Sequence, residues 1–215
     1  MIEVDALLFD LDGTLIDSKK DLTQAVRWLQ ARYQAPLSSE DQVSSFIGDG
    51  VMQLVRRALP RLSARMLPEA VEIYKSYYRI HCLDTTRFYP GVVETIHAFR
   101  HKKMAVVTNK PLRVTRRMLE SLGLLRFFSC VLGGDSLRRK KPFPDPILRA
   151  LYEFRVFPPK RAVMVGDGPN DIQAGAAAGT YTCAVLSNIS DPQKLLKTHP
   201  QFVINNLSIL RHLFH

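Results

Sequence analysis

"ALLFDLDGTLIDS", residues 6–18, carries an apolar segment into two carboxylates, Asp10 and Asp12, two positions apart. Residues 4–9, "VDALLF", have the length and composition of a buried strand, and turn residues follow them. Side chains alternate along a strand, so Asp10 and Asp12 share a face for as far as the extended backbone persists. Two carboxylates brought together repel, and an all-oxygen set invites a hard cation such as Mg²⁺ in preference to zinc. The alternative is a hairpin, because Asp-Gly between apolar residues is a strong two-residue turn signal. Both hold if a hairpin follows the strand and carries Asp12 on its first arm.

Similar apolar runs recur at 104–108 ("MAVVT"), 162–166 ("AVMVG") and 181–186 ("YTCAVL"), with weaker ones at 129–134 and 201–204. Helical spacing lies between them, at 91–101, 112–122, 145–155 and 170–178. This alternation predicts an α/β fold, a Rossmann-like doubly wound parallel sheet covered on both faces. Residues 18–84 break the rhythm, since "DLTQAVRWLQARY", "GVMQLVRRAL" and "LPEAVEIYKSYYRIHCL" read as amphipathic helices without a strand among them. An inserted all-helical cap is therefore expected over 17–85, dividing an α/β core into 1–16 and 86–215.

The 215 residues are 46% hydrophobic and 23% charged, a balance that supports a globular core. No apolar run approaches the roughly 18 residues of a membrane span. The N-terminus, "MIEVDALLFD", is acidic where a signal peptide is basic, so a cytoplasmic protein without a membrane partner is expected. Cys82, Cys130 and Cys183 have no CxxC spacing and read as buried thiols. The formal charge of +10 attracts anions: nucleic acid, acidic surfaces or phosphorylated metabolites. The basic groups "RVTRR" at 113–117 and "RRKK" at 138–141 lack interleaved aromatics, which argues against a specific nucleic-acid surface.

Ligands of a parallel α/β sheet bind at the carboxyl ends of its strands. Four runs end there in polar or small residues: Asp10 and Asp12, Thr108 and Asn109, Gly133 to Asp135, and Asp167 with Asp171. A helix capped by Asn170, with Asp171 at its positive N-terminus, accounts for part of "GDGPND" but leaves Asp167 as an extra acid. Thr108 with the N–H groups of a helix start suits an anion, although it can also simply cap that helix. Lys141 precedes a proline, which favours an extended backbone and a defined side-chain direction; a solvated basic loop is the alternative. Gly48-Asp49-Gly50 lies between insertion helices, as a substrate loop or a plain turn.

In order along the chain, "DLDGT", "VVTN", "KKPFPDP" and "GDGPND" resemble the motifs of the haloacid dehalogenase superfamily of phosphohydrolases, and the helical insertion matches the position of that superfamily's first-type cap. The resemblance implies that Asp10 is a nucleophile forming an aspartyl-phosphate and that Asp12 is the general acid, then base. It implies Mg²⁺ on the Asp10 side chain, the Asp12 backbone carbonyl and Asp167, with Asp171 direct or through water. Substrate binding falls to Thr108, Asn109 and Lys141, with Gly48 and Gly50 in a loop that closes over the core. "DGTLIDS", "FIGDGV", "FYPGV", "TNKP" and "KPFPDP" are most similar to phosphoglycolate phosphatases, implying a small phosphorylated metabolite, 2-phosphoglycolate, and a monomer or homodimer. A phosphosugar mutase or pyrophosphatase on the same scaffold is the alternative, and a nucleic-acid-binding or interaction protein a more distant one. Two departures stand out: Asp49, where relatives commonly carry asparagine, adds a charge opposing a substrate carboxylate, and Gly168 replaces a common serine or threonine.

Overall fold

In the computed structural model, which describes residues 1–215, the opening apolar run forms β1 (Ala6–Phe9), buried along its whole length. It is flanked on both sides, pairing in parallel with β4 (Lys103–Val107) and β6 (Ala162–Gly166), so that Leu8 lies opposite Ala105 on one side and Met164 on the other. A strand so enclosed has no polar face, which is why these runs are continuously apolar. With β5 (Cys130–Leu132), β7 (Tyr181–Val185) and β8 (Phe202–Ile204) they make one parallel sheet in the order β5-β4-β1-β6-β7-β8. The chain builds outward from β1 to β5, then returns past β1 to begin the other half at β6. The order therefore reverses beside β1, where a crevice opens at the carboxyl ends.

The period of two divides the core. Leu7, Phe9, Met104, Val106, Val163 and Val165 share one hydrophobic cluster, and Ala6, Leu8, Ala105, Val107, Ala162 and Met164 share the other. The first face is covered by α5 (Val92–Ala98) and α6 (Leu112–Ser121), the second by α7 (Asp145–Phe154) and α8 (Pro169–Ala178). Short helices α9 (Pro192–Leu196) and α10 (Leu210–Leu213) complete the C-terminal half.

Between β1 and β4 the chain leaves through β2 (Ile16–Asp17) and returns through β3 (Arg87–Phe88), which pair antiparallel as a two-stranded neck. Beyond the neck lie α1 (Lys19–Arg32), α2 (Glu40–Ser44), α3 (Val51–Ala58) and α4 (Leu67–His81). The five-residue α2 is too short to show helical periodicity, although its capping box is present as Ser39 and Gln42. Trp28 stacks on Tyr77 at 4.3 Å to join α1 to α4. All three cysteines are free and buried, and no helix is long and apolar enough to cross a membrane.

Asp21 clasps the neck. Fully buried, its carboxylate accepts hydrogen bonds from the backbone N–H groups and the hydroxyls of both Thr85 and Thr86, at 2.6–3.2 Å. Its removal strands four donors. Asp21→Ala is expected to lower unfolding stability by about 3 kcal/mol in urea titration, against less than about 0.5 kcal/mol for the exposed Asp41→Ala. Equal, small losses would show that the clasp contributes nothing.

Candidate active site

Asp10 follows β1, Thr108 follows β4, Asp167 follows β6, and Asp171 stands in the first turn of α8. One oxygen each from Asp10, Asp167 and Asp171 lies within 4.8 Å of the other two. Glycine makes this possible at Gly13, where φ is +84° and an added Cβ would sit 2.0 Å from Asp167 Oδ2. There the chain doubles back, Gly13 N–H donating to the Ile16 carbonyl at 2.9 Å. "DLDGT" is thus a turn and an acidic strand end at once.

Lys141 reaches this cluster from the loop before α7. It is 2% exposed, donates from Nζ to Asp171 Oδ1 at 2.6 Å and to the Val107 carbonyl, and lies 2.9 Å from Asp10 Oδ1. Burial opposes its charge, but Asp10 and Asp171 more than offset this and hold its pKa above the usual value. Burial, then the charges of Asp10 and Asp171, push the Asp167 carboxyl up to about 8, despite donors from Ser190 at 2.6 Å and Ser187 at 2.8 Å. Asp171 is raised by burial and by Asp10, with Lys141 opposing. Although Lys141 is at ion-pair distance, Asp10 Oδ1 is buried and accepts no hydrogen bond. One lysine among three acids leaves negative charge unbalanced, and an all-oxygen set suits a hard divalent cation.

Asp12 lines the same cavity, of about 520 Å³, but its side chain turns from the cluster. Its Oδ1 accepts from Ser18 Oγ at 2.5 Å, and Lys110 Nζ donates to both oxygens at 2.8 and 2.9 Å. Thr108 is buried on the cavity wall, its Oγ1 accepting from the Lys110 N–H at 3.3 Å. The backbone N–H groups of Leu11, Asp12 and Asn109, which follow β1 and β4, donate no hydrogen bond within the chain and are free for an anion.

The insertion meets the core across the Gly48-Asp49-Gly50 turn. Asn109 Nδ2 donates to the carbonyls of Gly48 at 2.8 Å and Lys141 at 2.9 Å, so its side chain ties loops together. Asn170 Nδ2 donates to Asp49 Oδ1 at 2.8 Å and to the Gly48 carbonyl at 3.2 Å. It does not cap α8, whose N-cap is Gly168. Lys140 Nζ donates to the Asp49 carbonyl at 2.5 Å, far from the role of Lys141. Gly50 has φ +84°, and a Cβ there would lie 2.6 Å from Lys140 Nζ. Burial disfavours ionised Asp49, yet hydrogen bonds from Asn170 and Arg57 hold its carboxyl below the usual value. Arg57 also forms an ion pair with it, so the opposing charge expected of Asp49 is largely balanced. Asp135 turns away, accepting from the Leu112 N–H at 2.8 Å to cap α6.

Lys110, Tyr74, Tyr78, Ser187 and Ser190 line or support the cavity without having been singled out by the sequence. Lys110 lies inside "TNKP", beside Thr108, and the serines follow β7, a further strand ending at the same edge.

Residues 7–185 match the sequence model of the haloacid dehalogenase-like hydrolases. The chain is 38% identical over 212 residues to phosphoglycolate phosphatase of Haemophilus influenzae, covering 94% of each. It is 35% identical to phosphoglycolate phosphatase 1 of Pseudomonas aeruginosa, covering 94% of this chain and 76% of that one. A crystal structure from Haemophilus somnus, named a predicted phosphoglycolate phosphatase, superposes with a TM-score of 0.92 at 29% identity over 99% of both chains. A family match over most of the chain, a sheet whose strand ends gather three carboxylates and a lysine, and relatives above 30% identity agree: the chain belongs to the haloacid dehalogenase-like hydrolase family.

Proposed function

We propose that the protein is a cytoplasmic Mg²⁺-dependent phosphatase that hydrolyses a small phosphomonoester, 2-phosphoglycolate, through an aspartyl-phosphate on Asp10. The observation that carries this reading is the cluster of Asp10, Asp167 and Asp171 around the buried Lys141, three acids to one lysine at the carboxyl edge of the sheet. The names of the relatives support the choice of substrate.

In this reading residues 17–85 are a cap over a core of 1–16 and 86–215. An Asp10 oxygen attacks phosphorus while the ester P–O bond breaks, and Asp12 gives its proton to the leaving oxygen. Asp12 then takes a proton from water, whose oxygen attacks the same phosphorus, releasing phosphate and restoring Asp10. The Leu11, Asp12 and Asn109 N–H groups, the Thr108 hydroxyl and Lys141 Nζ hold the phosphoryl oxygens through both displacements. Ser18 and Lys110 set the rotamer of Asp12, and Ser187 and Ser190 set that of Asp167. The side chains of Asp10, Asp167 and Asp171 with the Asp12 carbonyl would hold Mg²⁺, which when bound supplies positive charge against the carboxylates and the phosphoryl group. The Gly48 to Gly50 loop, tied to Asn109 and Asn170, forms part of the cavity wall.

Phosphate release from a panel of 2-phosphoglycolate, sugar phosphates, nucleotides and pyrophosphate is expected to be greatest for 2-phosphoglycolate, to require Mg²⁺ and to stop with EDTA. Asp10→Asn should lower kcat by at least about a thousandfold. Turnover that survives this substitution would contradict the nucleophile.

A second consequence concerns the metal-free protein. Asp167 has a folded pKa of about 8 against an ordinary 3.8, so its ionised form opposes folding. Stability from this group is present at low pH and is lost as pH rises from about 4 through about 8. In EDTA, the urea midpoint of the native protein should therefore fall between pH 5 and pH 8 more than that of Asp167→Asn. Mg²⁺ should restore the native protein and not the variant; identical pH profiles would remove the charge conflict from the account.

A further inference from the structure

Two hydroxyl hydrogens in the cavity have no acceptor in the protein. Tyr74 and Tyr78 stand one turn apart on α4, 3% and 4% exposed, with ring centroids 5.7 Å apart and nearly parallel planes. Tyr74 Oη makes no hydrogen bond. Tyr78 Oη accepts from Lys110 Nζ at 2.8 Å and donates to nothing, while the other Lys110 hydrogen bonds go to the two Asp12 oxygens. All four side chains line the cavity that also contains Asp10. Burial pushes both phenols well above their ordinary pKa, so each keeps its hydrogen. Buried hydroxyls without any partner are rare in folded proteins, and Tyr74 Oη, one turn from a Tyr78 hydroxyl that accepts but donates to nothing, points to a ligand.

The unmet capacity here is one-sided: two hydroxyl hydrogens, beside an ammonium whose own hydrogen bonds go to Asp12 and Tyr78. A ligand hydroxyl would accept but bring another hydrogen that needs a partner, whereas a carboxylate brings only acceptors and a charge opposite to that of Lys110. Position agrees with chemistry. In the reading above Asp12 stands at the leaving oxygen, and a glycolate carboxylate is two bonds from that oxygen. Lys110, bonded to Asp12, is the cation beside it.

We propose that Tyr74, Tyr78 and Lys110 form a subsite for a carboxylate on the leaving group of the phosphomonoester. It deepens the phosphatase reading, on which it rests for the placement of the leaving oxygen. Because both tyrosines belong to the insertion and Lys110 to the core, the carboxylate is held only when the two are together. A neutral tail leaves the hydroxyls unmet, so the subsite selects against neutral esters of the same size.

The test uses calorimetric binding of 2-phosphoglycolate and ethyl phosphate to the Asp10→Asn protein with Mg²⁺, where no turnover intervenes. Phenylalanine keeps the ring packing, so Tyr74→Phe and Tyr78→Phe remove only hydroxyls. The expected result is at least tenfold tighter binding of 2-phosphoglycolate, with that preference cut about tenfold by each substitution. In the active protein the same loss should appear mainly in KM. No binding of 2-phosphoglycolate, equal affinity for the two compounds, or a preference that survives both substitutions would overturn the subsite. Failure of the active protein to release phosphate from a compound that binds in this way would instead count against the phosphatase reading alone.

Discussion

Three buried carboxylates share one lysine, and much of the architecture around β1 answers that conflict. Asp10, Asp167 and Asp171 come together because a parallel sheet aligns the ends of neighbouring strands, here at the point where strand order reverses. Their approach requires bare backbone: a Cβ on Gly13 would strike Asp167, and one on Gly166 would lie 2.3 Å from the Asp171 carboxyl carbon. Lys141 is held among them by the Val107 carbonyl and Asp171. The cluster is therefore over-determined in position and under-compensated in charge, the condition in which a divalent cation binds strongly. Folding tolerates that strain only because the two hydrophobic clusters fix the strands that carry it.

Directional contacts orient the insertion on the core. The neck strands pair at Ile16–Phe88 and Asp17–Arg87, and Asp21 binds Thr85 and Thr86 just beyond. At the far side, Asn109, Asn170 and Lys140 grip the backbone and side chain of the Gly48-Asp49-Gly50 turn. Apolar packing accompanies these polar contacts, since insertion residues such as Leu22 and Tyr78 share one hydrophobic cluster with Phe9 and Val114 of the core. Lys110 lies between the two regions, with Asp12 on one side and Tyr78 on the other. The proposed acid–base residue is thus linked directly to the insertion.

The architecture is legible in the sequence wherever burial is two-sided. β6 spans the run read for it, β1 and β7 differ from theirs by one or two residues at one end, and β4 is shifted by one residue from its run. The acids at strand ends are legible for the same reason, since strand and edge together imply convergence. Less visible is whatever depends on contact between distant segments. Asp21 looks like an ordinary surface acid in a helix, and its partners are more than 60 residues away. Lys110, in "TNKP", carries no signal that it will cross the cavity to Asp12. Tyr74 and Tyr78 read as apolar-face residues of an amphipathic helix; only the structure shows that the Tyr74 hydroxyl has no partner and that the Tyr78 hydroxyl accepts from Lys110. Asn170 looked like a helix cap and is instead a bridge to Asp49, because Pro169 at the first helical position leaves Gly168 as the cap.

The stereochemical course at phosphorus tests the central claim most directly. With a phosphomonoester made chiral by oxygen isotopes, a phosphoryl group that passes through Asp10 undergoes two in-line displacements. The account predicts net retention of configuration in the released phosphate. Net inversion would mean that water attacks the substrate directly, and would contradict the role given to Asp10.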